Sequence, residues 1–334
     1  MILYDPRIPA SLMEFGIQIP IRDSRATKTL EALQADARLG PLQNRWHRDR
    51  IAETLSRQDL ERTHAAAYVQ RLYSPKLEEE IISTYELIDA QGRYYRYAPE
   101  TATRPLGDLF QRILLKAAGT AQCGRLALEH GFCFYFAGGM HHAYRDHGSG
   151  FCPINDIVIA VHKLQSEAII RKAWVIDIDA HKGDGTAALT AGDDAIRTLS
   201  IHMARGWPLD GPVNLADGTP NPVFIPSDID LPIETGEEGR YLERLGNGLS
   251  RLEQLGGADL AIVVCGADPF EKDELPSTAG LRLTLDQMMA RDQMVYNFLQ
   301  QRHIPAAFLM AGGYGDDTWR VYAQFLKWAL AARY

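Results

Sequence analysis

The sequence predicts an α/β fold: a single domain over residues 1–334, in three α/β/α layers with a mainly parallel central sheet. Three observations predict it. Short apolar runs recur along the chain, longer helical patterns separate them, and glycines with ionisable residues follow the ends of the runs.

The runs lie at 132–136, 173–178, 196–201, 260–265 and 306–310. Most are aliphatic or aromatic rather than alternating, with Asp177 in the second run and Arg197, Thr198 and Ser200 in the third as the polar exceptions, which suits parallel strands buried on both faces. Residues 108–130 carry a stripe of Leu109, Ile113, Leu114 and Ala117 and stop at Gly131, a favoured residue just past a helix end. Thr235 followed by Glu238 reads as a capping box opening a helix to about 255. Thr284 followed by Gln287 reads likewise for a helix ending near His303. A last helix from Thr318 aligns Trp319, Tyr322, Phe325, Leu326 and Leu330 on one core-facing side. Two stretches, 74–105 and 206–232, read as long rim loops; the second holds six prolines and has little periodicity.

Composition narrows the function classes. Hydrophobic residues make up 46% and charged residues 23%, as in ordinary globular proteins. With 43 acidic against 35 basic residues the net charge is −8, which disfavours nucleic acid and anionic membranes as partners. No apolar run approaches the ~20 residues that span a bilayer. The opening Met-Ile-Leu-Tyr-Asp-Pro lacks the pattern of a signal peptide. Cys123, Cys133, Cys152 and Cys265 are widely spaced, with neither a zinc-ribbon nor a disulfide pattern. A reducing, cytoplasmic setting is expected, and no feature specifies an oligomer.

In a parallel sheet, function gathers just beyond the carboxyl ends of the strands. After 132–136 comes Ala-Gly-Gly-Met-His141-His142; after 173–178 comes Asp179-Ala-His181, preceded by Asp177. The 260–265 run leads into Gly266-Ala-Asp268 and the 306–310 run into Gly312-Gly-Tyr314. Asp179 and His181, two apart at a strand end, point the same way. With Asp268 they make three ligands and leave a fourth position open, the pattern of a catalytic zinc. Asp177 and Asp184 are carboxylates that can each hold one imidazole of the His141-His142 pair, fixing tautomers and raising basicity.

These segments resemble the zinc-dependent histone deacetylases of the arginase/deacetylase superfamily. The resemblance rests on Ala137-Gly-Gly-Met-His-His-Ala143, Gly150-Phe-Cys-Pro-Ile-Asn-Asp-Ile157, Asp177-Ile-Asp-Ala-His-Lys-Gly-Asp-Gly185, Cys265-Gly-Ala-Asp268 and Gly312-Gly-Tyr314. It extends over about 105–315 and more weakly from Asp59-Leu-Glu-Arg-Thr-His64. Ala267-Asp-Pro269 and Ser200-Ile-His-Met-Ala-Arg205 lean toward the bacterial class IV-like branch. The resemblance implies an arginase/deacetylase-like fold and removal of an acyl group from lysine. It makes Asp179, His181 and Asp268 the zinc ligands, with His142 as general base on the attacking water. His141 becomes its electrostatic or acid partner, and Tyr314 the donor to the oxyanion. It also implies a potassium ion at Asp177 and Ser200, and acyl-lysine tunnel walls at Phe151, beside Gly150, and at Trp207. Asn155 and Asp156 are expected to brace the site.

The chemistry is self-consistent. Two carboxylates neutralise Zn²⁺, so such a site acidifies its water less than a three-histidine one, and a separate base and oxyanion donor have tasks. Oxygen-rich ligation also admits Fe²⁺. Lys182 stands where the family commonly has His or Gln, and Glu274 where an Arg often follows. Both bear on substrate, as do long segments at 207–228 and 275–280. The partner is an acylated lysine of a peptide or protein; the alternative is an acetylpolyamine or another small N-acyl amine. A binuclear manganese ureohydrolase would need Asp-His after the double glycine and an Asp four residues past Asp179, where Met140-His141 and Gly183 stand. A non-catalytic ligand sensor would have no reason to keep every catalytic position.

Overall fold

The apolar runs become strands because both of their faces are covered. In the computed structural model, which describes residues 1–334, the strands are β1 (Ile2–Leu3), β2 (His47–Arg48), β3 (Phe132–Tyr135), β4 (Ala173–Asp177), β5 (Ile196–Met203), β6 (Ile229–Ile233), β7 (Leu260–Val264) and β8 (Ala306–Leu309). They form one eight-stranded sheet in the order β2-β1-β3-β8-β7-β4-β5-β6. Every pairing is parallel, so the sheet is wholly rather than mainly parallel.

Eleven helices connect and cover it: α1 (Ser24–Gln34), α2 (Gln43–Trp46), α3 (Arg57–Glu61), α4 (Ala66–Leu72), α5 (Leu77–Thr84), α6 (Leu109–His130), α7 (Asp156–Ser166), α8 (Asp184–Thr190), α9 (Tyr241–Gln254), α10 (Leu285–Gln301) and α11 (Trp319–Ala331). Alternate strand residues enter different cores. Phe132, Phe134, Ala261 and Val263 pack with α1, α9, α10 and α11. Cys133, Tyr135, Ile262 and Val264 pack with α6 and α7. A third cluster seats α4 and α5 on the outer side of α6.

Several local expectations hold. Helix α6 ends at Gly131, whose φ of 76° is left-handed, and its N–H donates to the Ala127 carbonyl. The capping box at Thr284 and Gln287 is formed, and α10 follows it. Other expectations need correction. No capping box forms at Thr235: its hydroxyl donates to the Gly280 carbonyl, and Glu238 instead accepts from the Gly236 N–H. Helix α9 begins only at Tyr241, after a 3₁₀ turn. The 206–232 loop stops short of its expected end, because β6 starts at Ile229. Pro232 is tolerated there because β6 is an edge strand. The 74–105 stretch is not all loop; it contains α5.

The order places β3, β8, β7 and β4 side by side at the centre. Their carboxyl ends carry the four ionisable segments, so residues more than a hundred positions apart meet at one edge.

Candidate metal and catalytic site

Asp179 and His181 follow β4, and Asp268 follows the adjacent β7. All three are buried, and one ligand atom from each lies within 4.8 Å of the others. His181 Nδ1 is 3.4 Å from Asp179 Oδ1 and 3.2 Å from Asp268 Oδ2. Asp268 Oδ2 is buried and makes no hydrogen bond of good geometry. Leaving such an oxygen unsatisfied is costly unless a cation takes it up. The space beside it is kept by glycines: a Cβ on Gly312 would stand 2.5 Å from Oδ2 of both Asp179 and Asp268, and one on Gly266 2.2 Å from Asp179 Oδ2. Burial alone would strip the His181 proton, but the two carboxylates hold its pKa up to about 10. Burial and the Asp179 charge lift Asp268 to about 6. A centre that draws positive charge this strongly suits a divalent metal, whose binding displaces the proton. The residues fit the implied group.

The histidine pair sits directly above. His141 Nδ1 is 2.7 Å from Asp177 Oδ2, and His142 Nδ1 is 2.6 Å from Asp184 Oδ1. Each carboxylate fixes the Nδ1–H tautomer, so the Nε2 atoms face the cavity. The rings are 3.9 Å apart between centroids. Their environments split their proton affinities. Burial opposes charge on both, but Asp177 and Asp179 outweigh it at His141, whose pKa rises to about 9. At His142 burial and the neighbouring His141 prevail, and the pKa falls to about 4.

Further residues hold this pair in place. The Tyr144 hydroxyl donates to Asp184 Oδ2 (2.8 Å). His64, absent from the expected site, joins the Tyr144 carbonyl at Nδ1 (2.7 Å) and accepts from the Asn155 N–H at Nε2 (3.1 Å). Asn155 caps α7 and donates to Thr186 on α8. Asp156 accepts from the Gly139 and Met140 N–H groups and from Thr120, fixing the turn before the histidines.

Tyr314 follows β8 and lines the cavity. Its N–H donates to Oδ2 of Asp273 (2.7 Å), whose Oδ1 accepts from Leu275 and Thr278, so one half-buried carboxylate clasps the Tyr314 turn to the 275–280 segment. Burial, with Asp268 and Asp179 nearby, raises Tyr314 well above its ordinary value, so its hydroxyl remains a donor. Ser200 on β5 pairs in register with Asp177, and its hydroxyl is buried without a partner.

The metal group, the histidine pair and Tyr314 line one cavity of about 260 Å³. Trp207 forms one wall, with its ring 4.5 Å from His142 and 5.5 Å from His181 between centroids. Phe151 forms another and stacks on Tyr85 at 6.0 Å. Gly150 and Phe151 both take left-handed φ, 53° and 66°. A side chain at Gly150 would meet Trp207 at 2.2 Å, so the close approach demands glycine, whereas Phe151 bears genuine backbone strain. Ser277 reaches His181 Nε2 at 3.2 Å from the 275–280 segment. Lys182 turns away from the cavity to Asp230 (2.7 Å), and Glu274 pairs with Arg22 (3.1 Å). No cysteine joins the metal group.

The profile of the histone deacetylase domain matches residues 19–330. The chain belongs to the histone deacetylase family. Zinc dependence is typical of that family, and the buried Asp179–His181–Asp268 group could hold the ion. An uncharacterized Picosynechococcus protein is 29% identical over 258 residues, covering 74% of this chain and 80% of that one. Histone deacetylase 2 of Arabidopsis thaliana is 27% identical over 212 residues, 64% of this chain and 52% of the plant protein. The acetoin utilization protein AcuC of Staphylococcus aureus is 28% identical over 188 residues, 56% of this chain and 47% of that protein. This histone deacetylase domain thus spans about half the length of its plant and staphylococcal relatives. No helix in it is long and apolar enough to cross a membrane.

Proposed function

We propose that the protein is a metal-dependent amidohydrolase that removes an acyl group from the side chain of acylated lysine. The observation that carries this is the convergence, in one cavity, of a three-ligand Asp/His/Asp group, a carboxylate-oriented histidine pair and a tyrosine donor. Asp179, His181 and Asp268 would hold the metal, which would supply Lewis-acid polarisation of the amide carbonyl and acidify the attacking water. His142 Nε2, free because Asp184 holds Nδ1, takes the proton of that water. His141, kept cationic by Asp177 and Asp179, steadies developing negative charge and returns a proton to the leaving amine. Tyr314 donates to the oxyanion, and Phe151 and Trp207 flank the alkyl chain of the lysine.

Support for lysine over a polyamine comes from the mouth. Glu86 is the acidic group there, but it pairs with Arg96, whose guanidinium lies over Phe151 (5.3 Å) and Tyr95 (4.6 Å). The other carboxylates lining the cavity are Asp179 and Asp268 of the metal group, so no free lining carboxylate is left to receive a polycation.

The reading includes a potassium ion beside Asp177 and Ser200, supported by their register and by the unpartnered Ser200 hydroxyl. Oxygen-rich ligation also suits Fe²⁺ at the main site. The class IV-like placement rests on the Ala267-Asp-Pro269 and Ser200–Arg205 segments, and four free, buried cysteines support a cytoplasmic setting. The test is a panel of lysine peptides, acetyl through long-chain acyl, and acetylpolyamines, each with and without chelator. Chelator-sensitive release of free lysine from a peptide is expected. Turnover of acetylpolyamines alone would select the small-amine reading, and no turnover of either would defeat the amidohydrolase assignment.

A further inference from the structure

The cavity continues past the metal group to a foot lined by Gly138, Gly139, Ala311, Arg25 and Lys116. An acyl-lysine entering between Phe151 and Trp207, with its carbonyl at the metal group, directs its acyl tail toward this foot. Two cations stand there, neither in a direct ion pair.

Arg25, on α1, is 5% exposed. Its guanidinium donates only to neutral carbonyls: Nη1 to Ala311 (2.6 Å) and Gly313 (3.4 Å), Nη2 to Met310 (3.1 Å). Its Nε is buried with no partner. Lys116, on α6, lines the same foot, and its ammonium makes neither a hydrogen bond nor an ion pair. Asp156 is the one carboxylate that acts on it appreciably, and that group already accepts from Thr120, Gly139 and Met140. Burial and the Arg25 charge push Lys116 down to about 8, so it keeps its proton at neutral pH without a direct ion pair. Arg25 is buried, whereas Lys116 is half-buried with its side chain against the cavity; cations kept at a cavity wall without a direct ion pair are placed to meet a ligand.

We propose that Lys116 and Arg25 form a carboxylate subsite at the foot of the cavity, which selects acyl groups ending in a carboxylate, such as succinyl, over neutral chains. This rests on the amide-hydrolysis reading and adds the chemistry of the acyl group. A monocarboxylic acyl group leaves one negative charge behind; a dicarboxylic one leaves two, matching two cations. The reaction needs no further reagent: water adds to the amide carbonyl, the C–N bond breaks, the lysine nitrogen takes the proton, and the dicarboxylate leaves.

The experiment compares acetyl-, butyryl- and succinyl-lysine peptides of one sequence with metal-loaded wild type, Lys116→Met and Lys116→Arg. Wild type should prefer succinyl to butyryl, a neutral chain of similar length. Lys116→Met should lower the succinyl-to-acetyl ratio of kcat/KM by about tenfold or more, and Lys116→Arg should restore most of it. Succinate should raise the wild-type Tm more than acetate does, and Lys116→Met should abolish that difference. Wild type that hydrolyses acetyl- but not succinyl-lysine would overturn the subsite and leave the amidohydrolase reading standing. So would an unchanged ratio in Lys116→Met. Wild type that hydrolyses none of the peptides would overturn both.

Discussion

Gly312→Ala tests the metal cradle with one methyl group. Gly312 does not occupy the left-handed region, so the alanine backbone is allowed and the effect is one of contact. Its Cβ would stand 2.5 Å from Oδ2 of both Asp179 and Asp268, about 1 Å inside ordinary contact. Both carboxylates must turn aside by about that amount, whereas metal–ligand distances tolerate about 0.2 Å. The Gly312 N–H that holds Asp179 Oδ2 at 3.0 Å would shift with them. Zinc affinity should fall by about 10- to 100-fold, equivalent to roughly 1.4 to 2.8 kcal/mol. The assay is competition with a chelating dye, alongside far-UV circular dichroism and Tm to show that the fold persists. Gly257→Ala is the control, because a Cβ there meets nothing within 4 Å. If folded Gly312→Ala binds zinc as tightly as wild type, the metal does not sit between these carboxylates.

Tyr314→Phe should lower kcat by about 10²- to 10³-fold with metal content unchanged, because only the oxyanion donor is lost; metal analysis and steady-state kinetics check both. Asp184→Asn should lower kcat by roughly 10²-fold or more while zinc affinity holds, since it unsettles the His142 tautomer and leaves the ligands alone. His64 should make stability depend on pH. Burial lowers its folded pKa to about 4, so between pH 6.5 and 4 only the unfolded chain takes the proton. Its contribution is complete above pH 6.5 and lost as pH falls to about 4, a change of about 3 kcal/mol. Denaturant unfolding across that window should show wild type losing about that much more stability than His64→Gln; equal losses would refute the assignment.

The sheet was legible wherever strands are buried on both faces, because an unbroken apolar run such as Ala261 to Val264 is too short to span a bilayer and has little other use. Strands β1 and β2 were not, since two residues carry no periodicity, and β6 was hidden by Pro232. Thr235 and Glu238 had capping-box spacing, yet tertiary partners at Gly280 and Gly236 claimed their side chains. Asp179, His181, Asp268 and the histidine pair could be named because parallel topology brings strand ends together whatever their separation in sequence. His64 lies 80 residues from Tyr144, and nothing local announces that contact. Lys116 was least visible: beside the apolar stripe of α6 a lysine reads as a solvated face, and only the fold turns that face into a cavity wall. Arg25 likewise spends its hydrogen bonds on carbonyls almost 290 residues away.

The most direct test of the central claim is a titration of metal-stripped protein with Zn²⁺, or with Fe²⁺ under anaerobic conditions, followed by acyl-lysine peptide hydrolysis. Activity should rise linearly and saturate at one metal per chain, with Asp179→Asn and Asp268→Asn failing to saturate in the same range. Hydrolysis that persists in stripped protein, or that requires two manganese ions per chain, would contradict a single metal held by Asp179, His181 and Asp268.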